Sequence, residues 1–113
     1  MTPVCNLNAL TTAERERSAA LRRALRGATV ERAELPEGYA YRLTGAASLA
    51  EIAEWIALER RCCPFFRFEL EVDGDAGPVW LRLTGAGVKD FLAQSGRDAS
   101  SQSVTAIAVS TPK

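Results

Sequence analysis

The chain has 113 residues, of which 47% are hydrophobic and 25% are charged, a composition typical of one globular domain that folds without disulfides or a structural metal. Its 14 basic residues balance its 14 acidic ones, so we expect no surface for nucleic acid or for an anionic membrane. The absence of histidine excludes every site built on imidazole, including serine triads and histidine-ligated zinc.

The first ten residues, MTPVCNLNAL, lack the charged leader and the apolar core of a signal peptide. No apolar run approaches the roughly 20 residues needed to cross a bilayer. We therefore expect a cytoplasmic protein. In a reducing compartment, its three cysteines are expected to be free, metal-bound or redox-active rather than bridged.

The N-terminal third predicts a helix followed by a hairpin. Residues 11–26 begin with a capping box formed by Thr11 and Glu14 and carry a narrow apolar stripe, and Gly27 is the expected helix stop. The segments VERAEL and YAYRL flank the turn PEG, which predicts two paired strands.

A second helix and a second hairpin follow. Ser48 and Glu51 form another capping box, which opens a helix that runs to the two adjacent cysteines and that Pro64 cannot continue. The segments FRFELEV and VWLRLT alternate apolar and polar residues, as strands with one buried face do. A short helix is predicted from about Val88 to Gln94.

The pentapeptide RLTGA occurs at residues 42–46 and again at residues 82–86, each time between a predicted strand and a predicted helix. This similarity predicts a duplicated strand-strand-helix unit. We expect an α+β fold, a two-layer sandwich with a four-stranded, mainly antiparallel sheet preceded by an N-terminal helix. Residues 1–95 would form this single domain, and residues 96–113 a flexible tail or an added edge strand.

The polar face of the predicted sheet carries a tryptophan among alternating charges. It contains Arg42, Arg67, Glu69, Glu71, Trp80 and Arg82. Tryptophan and arginine are favoured at interface hot spots, so one hypothesis is a non-catalytic, homodimeric interaction module that associates through this face near Trp80, with structural cysteines. The alternative is a solvated face with one amphipathic aromatic residue.

The segment ERRCCPFF, residues 59–66, carries the strongest functional signal. At 100° per residue, Cys63 falls on the apolar face of the second helix and Cys62 at its edge, and Glu59 lies inside the same arc one turn earlier. Because adjacent helical residues point about 100° apart, we expect at least one thiol to be peripheral or exposed. A carboxylate at this position must reach solvent, find a hydrogen-bonding partner or accept a raised pKa.

Two neighbouring thiols favour soft ions such as Hg(II), Cu(I) and As(III), whereas zinc lacks its usual four ligands here. The predicted ligands are Cys62 and Cys63, with Cys5 as a third sulfur if the N-terminal segment folds back. Glu59 would serve as an oxygen ligand or as a partner of the sulfurs. We therefore expect thiol-based binding or sensing of a soft metal or metalloid ion, and we assign no catalytic residue and no firm cofactor.

Two further alternatives use the same thiols. Arg60 and Arg61 would lower the thiol pKa and favour redox chemistry, but the negative end of the helix dipole opposes ionisation. An enzyme with a cysteine nucleophile and Glu59 as its base is the other alternative, although the sequence contains no histidine and no recognisable oxyanion motif.

Four blocks of sequence carry a resemblance to a group of proteins. They are LTTAERER, ELPEGYAYRL, IALERRCCPFFRFELEV and WLRLTGAGVKDFL, within roughly residues 7–93. The chain resembles small bacterial proteins of uncharacterised function that share an ERxCCPF core, and CCPF is the most specific part of the match. The resemblance implies a bacterial cytosolic protein and transfers no catalytic residues.

Overall fold

The computed structural model describes residues 6–74 and 77–99. A single 3₁₀ turn, η1, precedes three helices and four strands. In chain order these are η1 (Leu7–Ala9), α1 (Thr12–Ala28), β1 (Thr29–Leu35), β2 (Gly38–Leu43), α2 (Leu49–Cys62), β3 (Arg67–Val72), β4 (Val79–Thr84) and α3 (Val88–Ala99). The strands form one antiparallel sheet in the order β1-β2-β4-β3. The predicted α+β fold, with an N-terminal helix before the sheet, is confirmed.

The main core lies where α1 and α2 pack against one face of the sheet. Both helices begin with the predicted capping boxes, Thr11 with Glu14 and Ser48 with Glu51. The buried side chains of this core are Leu21, Leu25, Ala28, Leu43, Ala47, Ile52, Trp55, Leu81 and Leu83. None of the helices in the described ranges is long and apolar enough to span a bilayer.

The opposite face of the sheet is polar. Arg42 lies opposite Trp80, which in turn lies opposite Glu71, so these three side chains share one face. Ion pairs cross the strands, from Arg42 to Glu31 at 2.9 Å and from Arg82 to Glu71 at 2.6 Å. Trp80 is half-buried among them. The predicted composition of this face is confirmed.

The predicted stop of α1 at Gly27 is wrong, because the helix continues to Ala28. Ala28 is fully buried, and its carbonyl accepts a hydrogen bond of 2.8 Å from the Thr44 amide. The chain enters β1 directly at Thr29, whose N–H still bonds to Arg26. Tertiary contacts therefore decide where α1 ends, although glycine is the more usual stop.

The last helix is longer than its sequence pattern predicts. α3 runs from Val88 to Ala99, past the predicted end at Gln94. The remainder of the predicted tail, residues 100–113, lies outside the described residues.

Candidate functional site

The two adjacent cysteines lie where α2 ends. Pro64 cannot continue a helix, and Cys63 leaves the helical conformation with φ −124° and ψ 70°. The Cys63 amide still donates a hydrogen bond of 2.7 Å to the Glu59 carbonyl. The first non-helical residue therefore remains held against the last turn of α2.

Both cysteines are buried, with 3% of Cys62 and none of Cys63 exposed to solvent. With Leu10 they form what we call the cysteine cluster. Its flanking side chains are Ala9, Leu58, Phe65, Phe66 and Phe91. The expectation that at least one thiol is peripheral is wrong, because both are buried. Two features of the structure explain this burial. The backbone of Cys63 is not helical, so the 100° separation does not apply, and the N-terminal segment covers the helix end.

Glu59 lies in the same buried environment, with 8% of its surface exposed. The Cys62 thiol donates to Glu59 Oε1 at 3.7 Å, and Cys63 Sγ lies 3.2 Å from the same oxygen. The two sulfurs are 3.5 Å apart. Three of the four predicted residues, Glu59, Cys62 and Cys63, thus meet in one group whose ligand atoms all lie within 4.8 Å of one another.

The second oxygen of Glu59 has a partner that sequence reasoning missed. Ser18 on α1 donates a hydrogen bond of 3.2 Å to Glu59 Oε2. Ser18 is itself buried and lies on the same stripe of α1 as Leu21 and Leu25. A serine at helical spacing from buried leucines was the available signal, because a polar residue on an apolar stripe needs a buried partner.

The pKa of the Cys62 thiol is raised to about 11. Burial is the largest cause, followed by the negative charge of Glu59 and by the hydrogen bond to it, while Arg22 has a smaller opposing effect. The expectation that Arg60 and Arg61 would lower the thiol pKa is therefore wrong for Cys62.

Arg61 lies on the outside of the site and bonds to the segment that precedes α1 and to the start of α1. Its guanidinium bonds to Glu14 Oε2 on α1 at 2.9 Å and to the Ala9 carbonyl of η1 at 2.9 Å. Glu14 is also part of the α1 capping box. One side chain thus joins the end of α2 to the segment that covers the cysteines.

The two cysteines differ in redox state, because Cys62 is free whereas Cys63 is disulfide-bonded. The expectation that the cysteines are not bridged is therefore wrong for Cys63. A disulfide sulfur carries no proton, so Cys63 contacts Glu59 without donating to it in this state. Cys5, the third predicted sulfur ligand, lies outside the described residues.

Glu59, Cys62 and Cys63, with Ser18 behind them, form the candidate site. This arrangement of two sulfurs and one carboxylate oxygen contains the donor types that bind soft metal ions. No protein-family model matches the chain, and no curated protein or solved structure matches it either.

Proposed function

We propose that the reduced protein captures a soft metal or metalloid ion through Cys62 and Cys63, with Glu59 beside them. The observation that supports this most directly is that one oxygen of a buried carboxylate lies 3.7 Å and 3.2 Å from the two sulfurs. Burying a carboxylate among neutral partners is costly, and a bound cation would offset that cost.

The donor set decides which ions fit. Thiolates are soft ligands and favour Cu(I), Hg(II) and As(III) over hard ions such as Mg²⁺ and Ca²⁺. Structural zinc sites normally have four ligands, usually cysteine and histidine. The chain has no histidine and three cysteines, so a four-ligand site of that kind is unavailable.

The distance between the two sulfurs limits which of these soft ions fits the site. With each sulfur about 2.3 Å from an ion, as in zinc thiolates, a separation of 3.5 Å corresponds to a sulfur–ion–sulfur angle of about 100°. An ion bound by two sulfurs in linear coordination would need them about 4.6 Å apart, which is twice that bond length. If reduction of Cys63 leaves the two sulfurs at this spacing, the site favours an ion with pyramidal coordination such as As(III) over linear Hg(II) or Cu(I).

Cys5 is the proposed third sulfur. The Asn6 amide donates a hydrogen bond of 2.6 Å to the Cys62 carbonyl, and Asn6 is bonded directly to Cys5. Three thiols would suit arsenous acid, because each thiol replaces one hydroxide and the thiol proton leaves with that hydroxide as water.

Arsenite titration of the reduced protein, followed by calorimetry, tests the proposal. We expect one arsenite per chain, and an affinity at least about 100-fold lower in the Cys62→Ser, Cys63→Ser double variant, because a chelated ion is held by several linked ligands. Equal affinities of the wild type and the double variant would overturn the proposal. A parallel Hg(II) titration tests the preference for a pyramidal ion.

Two glutamine variants on the same helix provide a matched control. Glu59→Gln removes a carboxylate that touches both sulfurs, whereas Glu54→Gln makes the same change at a solvent-exposed contact. We expect Glu59→Gln to weaken arsenite binding and Glu54→Gln to leave it unchanged. Equal effects would remove Glu59 from the proposed site.

A further inference from the structure

β1, one edge of the sheet, is protected against pairing with another strand. It carries charges on the face that packs against the helices, since Arg32 lies opposite Tyr41 of the core and Glu34 lies two residues further on. The Arg32 guanidinium lies 4.5 Å over the Tyr39 ring, and Glu34 forms an ion pair with Lys89 of α3. The pairing register also shifts near the start of β1. Charges that point inward and such irregularities are features by which natural sheets block an edge strand.

β3, at the opposite edge of the sheet, presents apolar residues instead. Its pairing with β4 is regular over all six residues, Arg67–Val72. On the helix face it carries Phe68, Leu70 and Val72, of which Leu70 is 37% exposed and Val72 is 46% exposed. Within residues 6–74 and 77–99, β4 is the only strand that pairs with β3. An edge strand with unpaired backbone groups and exposed apolar side chains is a template for pairing with another chain.

We propose that two copies of the chain pair through β3, antiparallel across a twofold axis, and so double the four-stranded sheet. A second copy fits this edge because β3 is complementary to itself. With Glu69 on the axis, Arg67 lies opposite the partner's Glu71, and Phe68 lies opposite the partner's Leu70. The twofold axis repeats each contact. Residues directly opposite each other share a face, so the polar faces of the two sheets coincide, and so do their apolar faces.

Charge distinguishes this register from the next one that keeps the faces aligned. An axis at Leu70 would place Glu69 opposite the partner's Glu71 on both sides, and Arg67 opposite Asp73, which lies beyond the end of β3. Like charges directly opposite each other destabilise a strand pair. An axis at Glu69 leaves one such contact, between the two Glu69 side chains, and each of them already has Arg67 of its own chain at 3.4 Å. The register centred on Glu69 is therefore favoured.

Light scattering after gel filtration, with a thiol reductant present, tests for the dimer. At about 100 μM, above the micromolar range in which weak specific interfaces form, we expect twice the chain mass of 12.2 kDa, and a fall toward one chain mass on dilution. A monomer at that concentration would overturn the inference. So would a dimer that forms only without reductant, because a disulfide would then hold the two copies together.

Two lysine variants at exposed apolar residues show which edge is used. Leu70→Lys places a charge opposite the partner's Phe68, whereas Val30→Lys makes a matched change on β1, where Val30 is 47% exposed. We expect the dimer dissociation constant to rise at least about tenfold in Leu70→Lys and to stay unchanged in Val30→Lys. Trp80→Ala on the polar face should also leave the dimer intact. Dissociation by Val30→Lys or Trp80→Ala, with none by Leu70→Lys, would overturn the inference.

Charge reversal at the two ends of β3 tests the register. Arg67→Glu places carboxylates opposite each other at both ends of the strand pair, and Glu71→Arg places guanidinium groups opposite each other there. We expect each variant alone, shown by circular dichroism to be folded, to dimerise at least about 100-fold more weakly than the wild type. Mixing the two variants restores both opposite-charge contacts and should yield a heterodimer. A mixture that remains monomeric would overturn the register centred on Glu69.

Discussion

Arg17 and Ser18, neighbours on α1, each contact a glutamate of α2, but the two contacts lie in different surroundings. Arg17 bonds to Glu54 through two nitrogens, both at 2.8 Å, with the side chains 49% and 43% exposed. Ser18 donates one bond of 3.2 Å to Glu59, and both residues are buried. Arg17 and Glu54 pair opposite charges in contact with water. The carboxylate of Glu59 instead lies among the hydroxyl of Ser18 and the sulfurs of the two adjacent cysteines.

The two contacts differ in their energetic cost, which is greater for the buried carboxylate of Glu59. An exposed ion pair contributes little to stability, because water solvates both charges whether or not they meet. A carboxylate removed from water needs compensation, and its direct partners here are uncharged. The buried contact is therefore the better candidate for function, and the exposed one provides a control on the same pair of helices.

The largest expected effect concerns the ionisation of Cys62. Glu59→Gln removes the negative charge beside the thiol and should lower its pKa from about 11 toward the ordinary value of 9.0. Burial, the larger cause, is unchanged, so the pKa should remain above that value. The pH dependence of iodoacetamide alkylation, with Cys63 disulfide-bonded, measures this change, because each unit by which the pKa falls gives about a tenfold larger thiolate fraction at a fixed pH below the pKa. Glu54→Gln should leave the profile unchanged.

The same pKa predicts a loss of stability in alkali. Because the folded protein holds the Cys62 proton more tightly than the unfolded chain does, the contribution to stability is complete below pH 9 and declines as the pH rises toward about 11. Urea unfolding across this pH range should show the decline in the wild type, and a smaller decline in Glu59→Gln. If the difference in unfolding free energy between the two proteins did not change with pH, the decline could not be assigned to the ionisation of Cys62.

A smaller effect is expected from Ser18→Ala. The variant leaves one oxygen of the buried Glu59 without its hydrogen bond, which should lower the free energy of unfolding by about 1 to 2 kcal/mol. Urea unfolding at neutral pH measures it. No change in stability would mean that the hydroxyl is not needed to hold Glu59 in place.

The smallest effect is expected from Arg17→Ala, which removes the exposed partner of Glu54. Arg17 lowers the pKa of Glu54 through a hydrogen bond and its charge, so any stabilisation is present above the ordinary value of 4.5 and is lost as the pH falls through the folded-state value. Wild type and variant should converge in acid and in high salt. A loss at neutral pH as large as that of Ser18→Ala would reverse the comparison.

Local patterns in the sequence predicted most of the fold. Both capping boxes depend on residues three positions apart, and the direction in which strand side chains point depends on alternation, so neither needs knowledge of the tertiary structure. The predicted burial of one face of β3 is wrong for Leu70 and Val72, which are 37% and 46% exposed. The extent of α1 was not predictable in this way, because Ala28 is held by a hydrogen bond from Thr44 on the far side of a hairpin.

The candidate site was predicted only in part, because some of its contacts are between residues close in sequence and others are not. Helical spacing predicted that Glu59 lies on the apolar face near both cysteines, since Glu59 and Cys62 belong to one helix and Cys63 follows it directly. The burial of Cys62 depends on Leu10, and the second partner of Glu59 is Ser18, and both come from segments remote in sequence.

By itself, the sequence determined the helix that carries the cysteines, its end before Pro64, and the position of Glu59 one turn earlier, because these follow from backbone geometry within a few residues. Only the tertiary structure decided that Cys62 is buried and free, that Cys63 is disulfide-bonded, and that the pKa of Cys62 is raised. Burial and partner choice depend on which distant segments pack over a helix end, and spacing along one helix does not specify that packing.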